Sequence, residues 1–258
     1  MAPLLTLTRH GAPSLLPKLL IVHGLFGSAR NWGAIAKRMS EDREVVAVDM
    51  RNHGSSFFDP RHDYPAMAED LARVIEAEGA PMDVVGHSMG GKAAMLLALT
   101  RPELVNRLVV ADIAPVAYGH SQSHLIAAMR GLDLHALSSR SVADARLAQA
   151  VDDPQVRAFL LQSLDLKATP PRWRLNLDVL DAQMPLITGW PDTTGLAPFA
   201  GPVLFLSGAR SDYVRPEARP LIRALFPAAR MAKLPDTGHW LHAENPRDFE
   251  ATLRVFLD

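Results

Sequence analysis

The sequence predicts an α/β fold, a mostly parallel sheet with helices on both faces, and three observations carry that expectation. Short apolar runs rich in β-branched residues alternate with helix-forming segments, which is the pattern of βαβ units. The chain has 258 residues, enough for one large domain with a substantial core, and its 48% hydrophobic and 21% charged residues are ordinary for a globular protein. Finally, Gly86-His87-Ser88-Met89-Gly90 sets a serine between two glycines where a strand-like run gives way to a helix-like one.

The elements follow in order. An edge strand is expected at residues 4–9, and further strands at 19–22, 45–49, 82–85, 107–112, 203–207 and 229–234, each a short apolar run bounded by turn residues. Helices are expected at 32–39, 66–78, 92–100, 216–226 and 246–257. Pro102 stops the helix that follows Ser88, because proline disfavours helix at the residue before it. Between Pro115 and Pro198 no strand-like run occurs, and helical periodicities at 123–132, 141–150 and 154–164 are broken by Pro170-Pro171 and Pro185. So long a segment is not a loop. Residues 116–197 are therefore expected to form a helical cap, inserted after the sixth strand and covering the strand ends, with 1–115 and 198–258 as the core domain.

Composition narrows the function. A net charge of −1 gives no electrostatic case for nucleic acid or an anionic membrane. Without cysteine there is neither disulfide nor thiolate chemistry. No apolar run approaches the roughly 20 residues that span a bilayer. Met1 to Arg9 lacks a basic segment followed by a long apolar one, so the expected compartment is the cytoplasm.

Ser88 has the setting of a nucleophile. In a strand-to-helix turn this tight, the residues two before and two after the serine must be nearly free of side chain, and the hydroxyl then projects at a helix N-terminus. A serine hydroxyl needs an adjacent base, itself oriented by a carboxylate. His239, in Asp236-Thr237-Gly238-His239-Trp240, follows the last strand and is the best of the ten histidines. His87 is expected to point away from the hydroxyl, and His242 to make a polar contact at the start of the final helix. His120 and His124 are spaced for one helix face but lack a third metal ligand. Two backbone N–H donors are needed to hold a developing oxyanion: Met89 supplies one, and Leu25, in the turn His23-Gly24-Leu25-Phe26-Gly27, is the choice for the other. Asp49 to Ser56 is expected to be a hydrogen-bonded loop with Gly54 at positive φ, shaping one wall.

Five stretches together resemble the α/β-hydrolase superfamily, and within it the small esterases related to YbfF and the abhydrolase-domain-11 proteins. They are His23-Gly24-Leu25-Phe26-Gly27-Ser28, Asp49-Met50-Arg51-Asn52-His53-Gly54, Val85-Gly86-His87-Ser88-Met89-Gly90-Gly91-Lys92, Asp112-Ile113-Ala114-Pro115 and Gly238-His239-Trp240. The resemblance implies hydrolysis of small-molecule carboxylic esters or thioesters through an acyl-enzyme, with no metal and no cofactor. The acid is expected at Asp112, with Asp212 as the alternative. The narrower family's pattern gives Asp112, at the end of the strand after the serine turn. The superfamily's commoner placement, after the strand at 203–207, gives Asp212, one residue late. Phe26, His87, Leu125, Met129, Phe159, Leu160, Trp190 and Trp240 are candidates for an apolar substrate pocket, with the cap's own core as their alternative role. A lyase or C–C bond hydrolase using the same three side chains, or a non-catalytic binding module on this fold, are the competing readings.

Overall fold

The computed structural model describes residues 3–79 and 81–258; Met1 and Ala2, which open the stretch read for a targeting signal, and Ala80 lie outside the described residues. The strands of the main sheet are β1 (Thr6–His10), β2 (Leu19–Val22), β3 (Val45–Asp49), β4 (Met82–His87), β5 (Val105–Ala111), β8 (Val203–Gly208) and β9 (Ala229–Leu234). They lie in the order β1-β3-β2-β4-β5-β8-β9, with β1 antiparallel to β3 and every other pair parallel. All four residues of β2 and all five of β3 are buried, which is why these strands read as continuous apolar runs rather than alternating ones.

Alternation survives in which layer each residue joins. Leu20, Val22, Val46 and Val48 face one layer with Met67 and Leu71 of α2 (Tyr64–Glu78) and Met95 and Leu99 of α3 (Met89–Thr100). Leu19, Ile21, Val45 and Ala47 face the other, with Ile35 and Met39 of α1 (Gly33–Met39) and Phe249 and Leu253 of α11 (Pro246–Leu257). The helix α2 begins on Asp63, whose carboxylate accepts the N–H of Ala66, and ends on Gly79 at φ 88, so both its ends are set by local chemistry.

Between β5 and β8 the chain builds an insertion from α4 (Ser123–Arg130), α5 (Arg140–Leu147), α6 (Pro154–Leu161), α7 (Leu177–Ala182) and α8 (Met184–Thr188). Counted along this chain it follows the fifth strand rather than the sixth, because a single edge strand precedes β2 among the described residues. It is not wholly helical. Leu164–Asp165 (β6) and Arg172–Trp173 (β7) pair as a small antiparallel ribbon, too short to give a sequence signal. Pro185 does not break the helical pattern but sits in the first turn of α8, where its missing N–H costs nothing. His120 precedes α4, so it does not share a helix face with His124.

The insertion is tied to the core by backbone bonds. Gly54 N–H donates to Arg174 O at 2.8 Å and Asn176 N–H to Asn52 O at 3.0 Å. On the other side, α3 sends Lys92 Nζ to the carbonyl of Thr188 at 3.0 Å, with the ring of Tyr118 4.6 Å from the ammonium. Beyond β9, a short α10 (Leu241–Glu244) leads into α11, and α9 (Arg219–Leu225) joins β8 to β9.

Candidate active site

The carboxyl ends of β2, β4, β5 and β8 meet at one point, and each delivers a piece of the site. β4 runs into α3 through Ser88, which is held at φ 53 and ψ −121. The two glycines are required by distance: a Cβ on Gly86 would lie 2.5 Å from Gly90 O, and one on Gly90 would lie 2.4 Å from His23 O. The turn therefore closes only with glycine at both places, and it leaves the serine hydroxyl facing His239. His239 Nε2 is 3.1 Å from Ser88 Oγ, and its Nδ1 is 2.8 Å from Asp112 Oδ2.

Asp112 directly follows β5 at φ 50, a conformation that aspartate tolerates better than most residues. Its side chain is fully buried, and its remaining acceptor capacity is filled by the Gly208 N–H at 3.0 Å and the Ser211 hydroxyl at 2.5 Å. A carboxylate so fixed holds the imidazole with Nδ1 protonated and Nε2 free to accept. Asp212 is not brought here. Its side chain is 74% exposed and pairs with Arg215, three residues on, because the turn after β8 points Ser211 inward and Asp212 to solvent.

The His239 loop is fastened separately. Glu244 accepts the N–H groups of Gly238 and Trp240 at 2.8 and 3.2 Å, and the Tyr213 ring stacks on the imidazole at 4.1 Å. His87 packs 4.7 Å from the same ring and bonds through Nε2 to the His239 carbonyl rather than to the serine, as expected. His242 departs from expectation. It lies flat on Trp32 at 4.1 Å with its Nδ1 unpartnered, because α10 turns it into the core instead of to the surface.

Leu25 and Met89 line the same cavity as Ser88, and the N–H of neither has an acceptor among the described residues. Phe26 N–H, one residue away, is by contrast bonded to His53 Nε2 at 3.2 Å. The loop carrying His53 is the tightly bonded turn expected: Asp49 accepts the N–H groups of Ala29 and Ser55, each at 2.8 Å, and Gly54 is at φ 60.

These groups open into a cavity of about 500 Å³ between the sheet and the insertion. Phe26, His87, Leu125, Phe159 and Trp240 line it. Met129, Leu160 and Trp190 do not. Met129 and Leu160 are completely buried in the insertion's own core, on the helix faces turned from the cavity, and Trp190 packs 6.3 Å from Tyr64. Lys92, Tyr118 and Tyr213 line the cavity without having been expected there, since distant segments bring them together. Among the described residues no cluster of histidine and acidic side chains could hold a metal ion, and no helix is long and apolar enough to cross a membrane.

Residues 17–246 match the family described as the α/β-hydrolase fold. The chain belongs to that family. It is 42% identical to the mouse sn-1-specific diacylglycerol lipase ABHD11 over 94% of this chain and 81% of that one. With Escherichia coli esterase YbfF the identity is 38%, covering 93% of this chain and 92% of the relative. A solved marine microorganism esterase superposes with a TM-score of 0.92 at 35% identity, covering 98% and 99% of the two chains. This α/β hydrolase is an ester-cleaving serine hydrolase of the carboxylesterase type.

Burial of several histidines is expected to make the folded hydrolase sensitive to acid. It holds His23 down to about 4 and His53 and His242 to about 3, and His62 and His87 well below the ordinary histidine value, so all five are neutral in the folded protein. The unfolded chain binds protons on them once the pH drops below about 6.5. Stability is therefore unaffected by these groups above that pH and is lost as the pH falls from about 6.5 toward 4, by up to ~1.4 kcal/mol per pH unit for each. His242→Phe keeps a ring against Trp32 and removes one such group. Urea unfolding midpoints measured across this range are expected to fall less steeply for the variant; an unchanged slope would show that His242 is not buried neutral.

Proposed function

We propose that this hydrolase cleaves esters and thioesters of apolar acyl groups through an acyl-enzyme on Ser88. The observation that carries the reading is the unbroken chain from buried Asp112 through His239 to Ser88 at 2.8 and 3.1 Å, opening into a largely apolar cavity. His239 Nε2 takes the serine proton as Oγ attacks the carbonyl carbon. The oxygen's negative charge is held by the N–H groups of Leu25 and Met89. Collapse of the tetrahedral intermediate breaks the bond to the alkoxide or thiolate, which leaves with the proton from His239. Water, deprotonated by the same nitrogen, then attacks the acyl carbon, and serine departs with its proton restored.

Residues 116–197 serve as the cap that supplies the acyl wall, chiefly through Leu125, Val156 and Phe159, which line the cavity. The diacylglycerol lipase named among the relatives supports diacylglycerols as one natural substrate class. The test is a panel of nitrophenyl esters, acyl thioesters and diacylglycerols of graded chain length. Phe159→Ala is expected to shift the preferred chain by a factor of roughly 10 to 200, the worth of one discriminating apolar contact. Trp190→Ala, outside the cavity, is expected to leave the profile unchanged. If neither variant alters the profile, the acyl chain does not lie along Phe159. Labelling by a fluorophosphonate without turnover of any ester would favour the C–C hydrolase or lyase alternative.

A further inference from the structure

We propose that Ser163, from the insertion, is a positioning residue for the reaction: it grips the Phe26 carbonyl and so holds the turn that presents the Leu25 N–H to the substrate oxygen. The inference rests on the reading of Leu25 as an oxyanion donor. Phe26 is at φ 63, in the left-handed region where a bulky side chain is strained by about 1–2 kcal/mol and stays only if its surroundings hold it. Both of its backbone polar groups are held. Its N–H donates to His53 Nε2 at 3.2 Å, and His53 Nδ1 in turn is 2.9 Å from Arg51 O, which fixes the proton on Nδ1 and leaves Nε2 to accept. Its carbonyl accepts the Ser163 hydroxyl at 2.9 Å, at a serine only 7% exposed.

These two grips are linked to one another. Ser163 O accepts the N–H of Arg174 at 2.8 Å, and Arg174 O accepts the N–H of Gly54, the residue after His53, at 2.8 Å. His53 itself pairs with Leu175 in an isolated bridge. A closed circuit of hydrogen bonds thus leaves the core at Phe26, passes through the insertion's ribbon, and returns by the His53 loop to Phe26. The turn next to Ser88 keeps its shape only while the insertion is seated. The cap of this enzyme, in this view, completes the catalytic geometry as well as walling the acyl chain.

A donor to the developing oxyanion acts in the transition state, whereas cavity walls act on bound substrate as well, and the two leave different kinetic traces. Ser163→Ala is expected to lower kcat about tenfold, less than the 10²–10³ lost when an oxyanion donor is itself removed, because the N–H is displaced rather than deleted. KM is expected to stay within about twofold, and the loss to be equal for acetyl and octanoyl nitrophenyl esters. Ser163→Thr, which keeps the hydroxyl, is expected to restore kcat. Gln162→Ala removes the neighbouring tie to Asn31, which bonds the Ser28 N–H and neither backbone group of Phe26, and is expected to leave kcat unchanged. Ser163→Cys offers a second variant should the alanine form fold poorly, with circular dichroism and melting temperature followed for each. Retention of full kcat in a folded Ser163→Ala, or a loss confined to one chain length or to KM, would overturn the proposal. Activity surviving in Ser88→Ala would instead sink the acyl-enzyme reading itself, whatever Ser163 does.

Discussion

Ser88→Ala is expected to lower kcat for ester hydrolysis by about 10⁴–10⁶, the range seen when a serine hydrolase loses its nucleophile. The melting temperature is expected to stay within a degree or two, since surface-accessible changes that disturb no packing cost little. The hydroxyl's hydrogen bond goes to His239, while the backbone bonds that hold the turn, Ser88 N–H to Ala111 O and Lys92 N–H to Ser88 O, do not involve it. Alanine at φ 53 is no more strained than serine there. Residual activity above about a tenth of wild type would show that another group attacks the carbonyl, and mass spectrometry of the fluorophosphonate-labelled wild type would then identify it.

Asp112→Asn is expected to cost up to about 10⁴ in kcat with little change of shape, while Asp212→Asn costs almost nothing. Asparagine can offer its amide N–H₂ to His239, which favours the tautomer with Nε2 protonated and unable to act as base. One of the two other donors at this position, Gly208 N–H and the Ser211 hydroxyl, keeps a carbonyl oxygen to bond, so the site is retained. Asp212 serves an exposed pair with Arg215, and solvent screening leaves a pair of that kind little weight in stability. Activity and melting temperature of both variants decide the matter. A large loss confined to Asp212→Asn would overturn the assignment, and comparable moderate losses in both would mean that the two carboxylates share the role.

Much of this protein was legible in its sequence because the information is local. The parallel strands announce themselves as short apolar runs, since burial on both faces leaves no polar alternation. The serine turn is written in five consecutive residues, because Gly86 and Gly90 are dictated by backbone contacts within that turn and with β2. His239 follows from chain order and from the glycine before it. The antiparallel ribbon of the insertion, α7 and α8 were not legible: two-residue strands and one-turn helices carry too few residues for a periodicity, and Pro185 begins a helix as readily as it ends one.

What the sequence alone determined is the class of fold, the candidate nucleophile and base, and the glycine-bearing turn opposite them, all of which depend on residues adjacent in the chain. Only the tertiary structure sets Asp112 rather than Asp212 against His239, because that depends on which side chain the turn after β8 directs inward and which it leaves in solvent. It likewise separated Phe159 from Leu160, neighbours on α6 of which one faces the cavity and the other the insertion's core. The grip of Ser163 on Phe26 joins residues 137 positions apart, and no local pattern encodes a contact whose two halves are fixed by different elements.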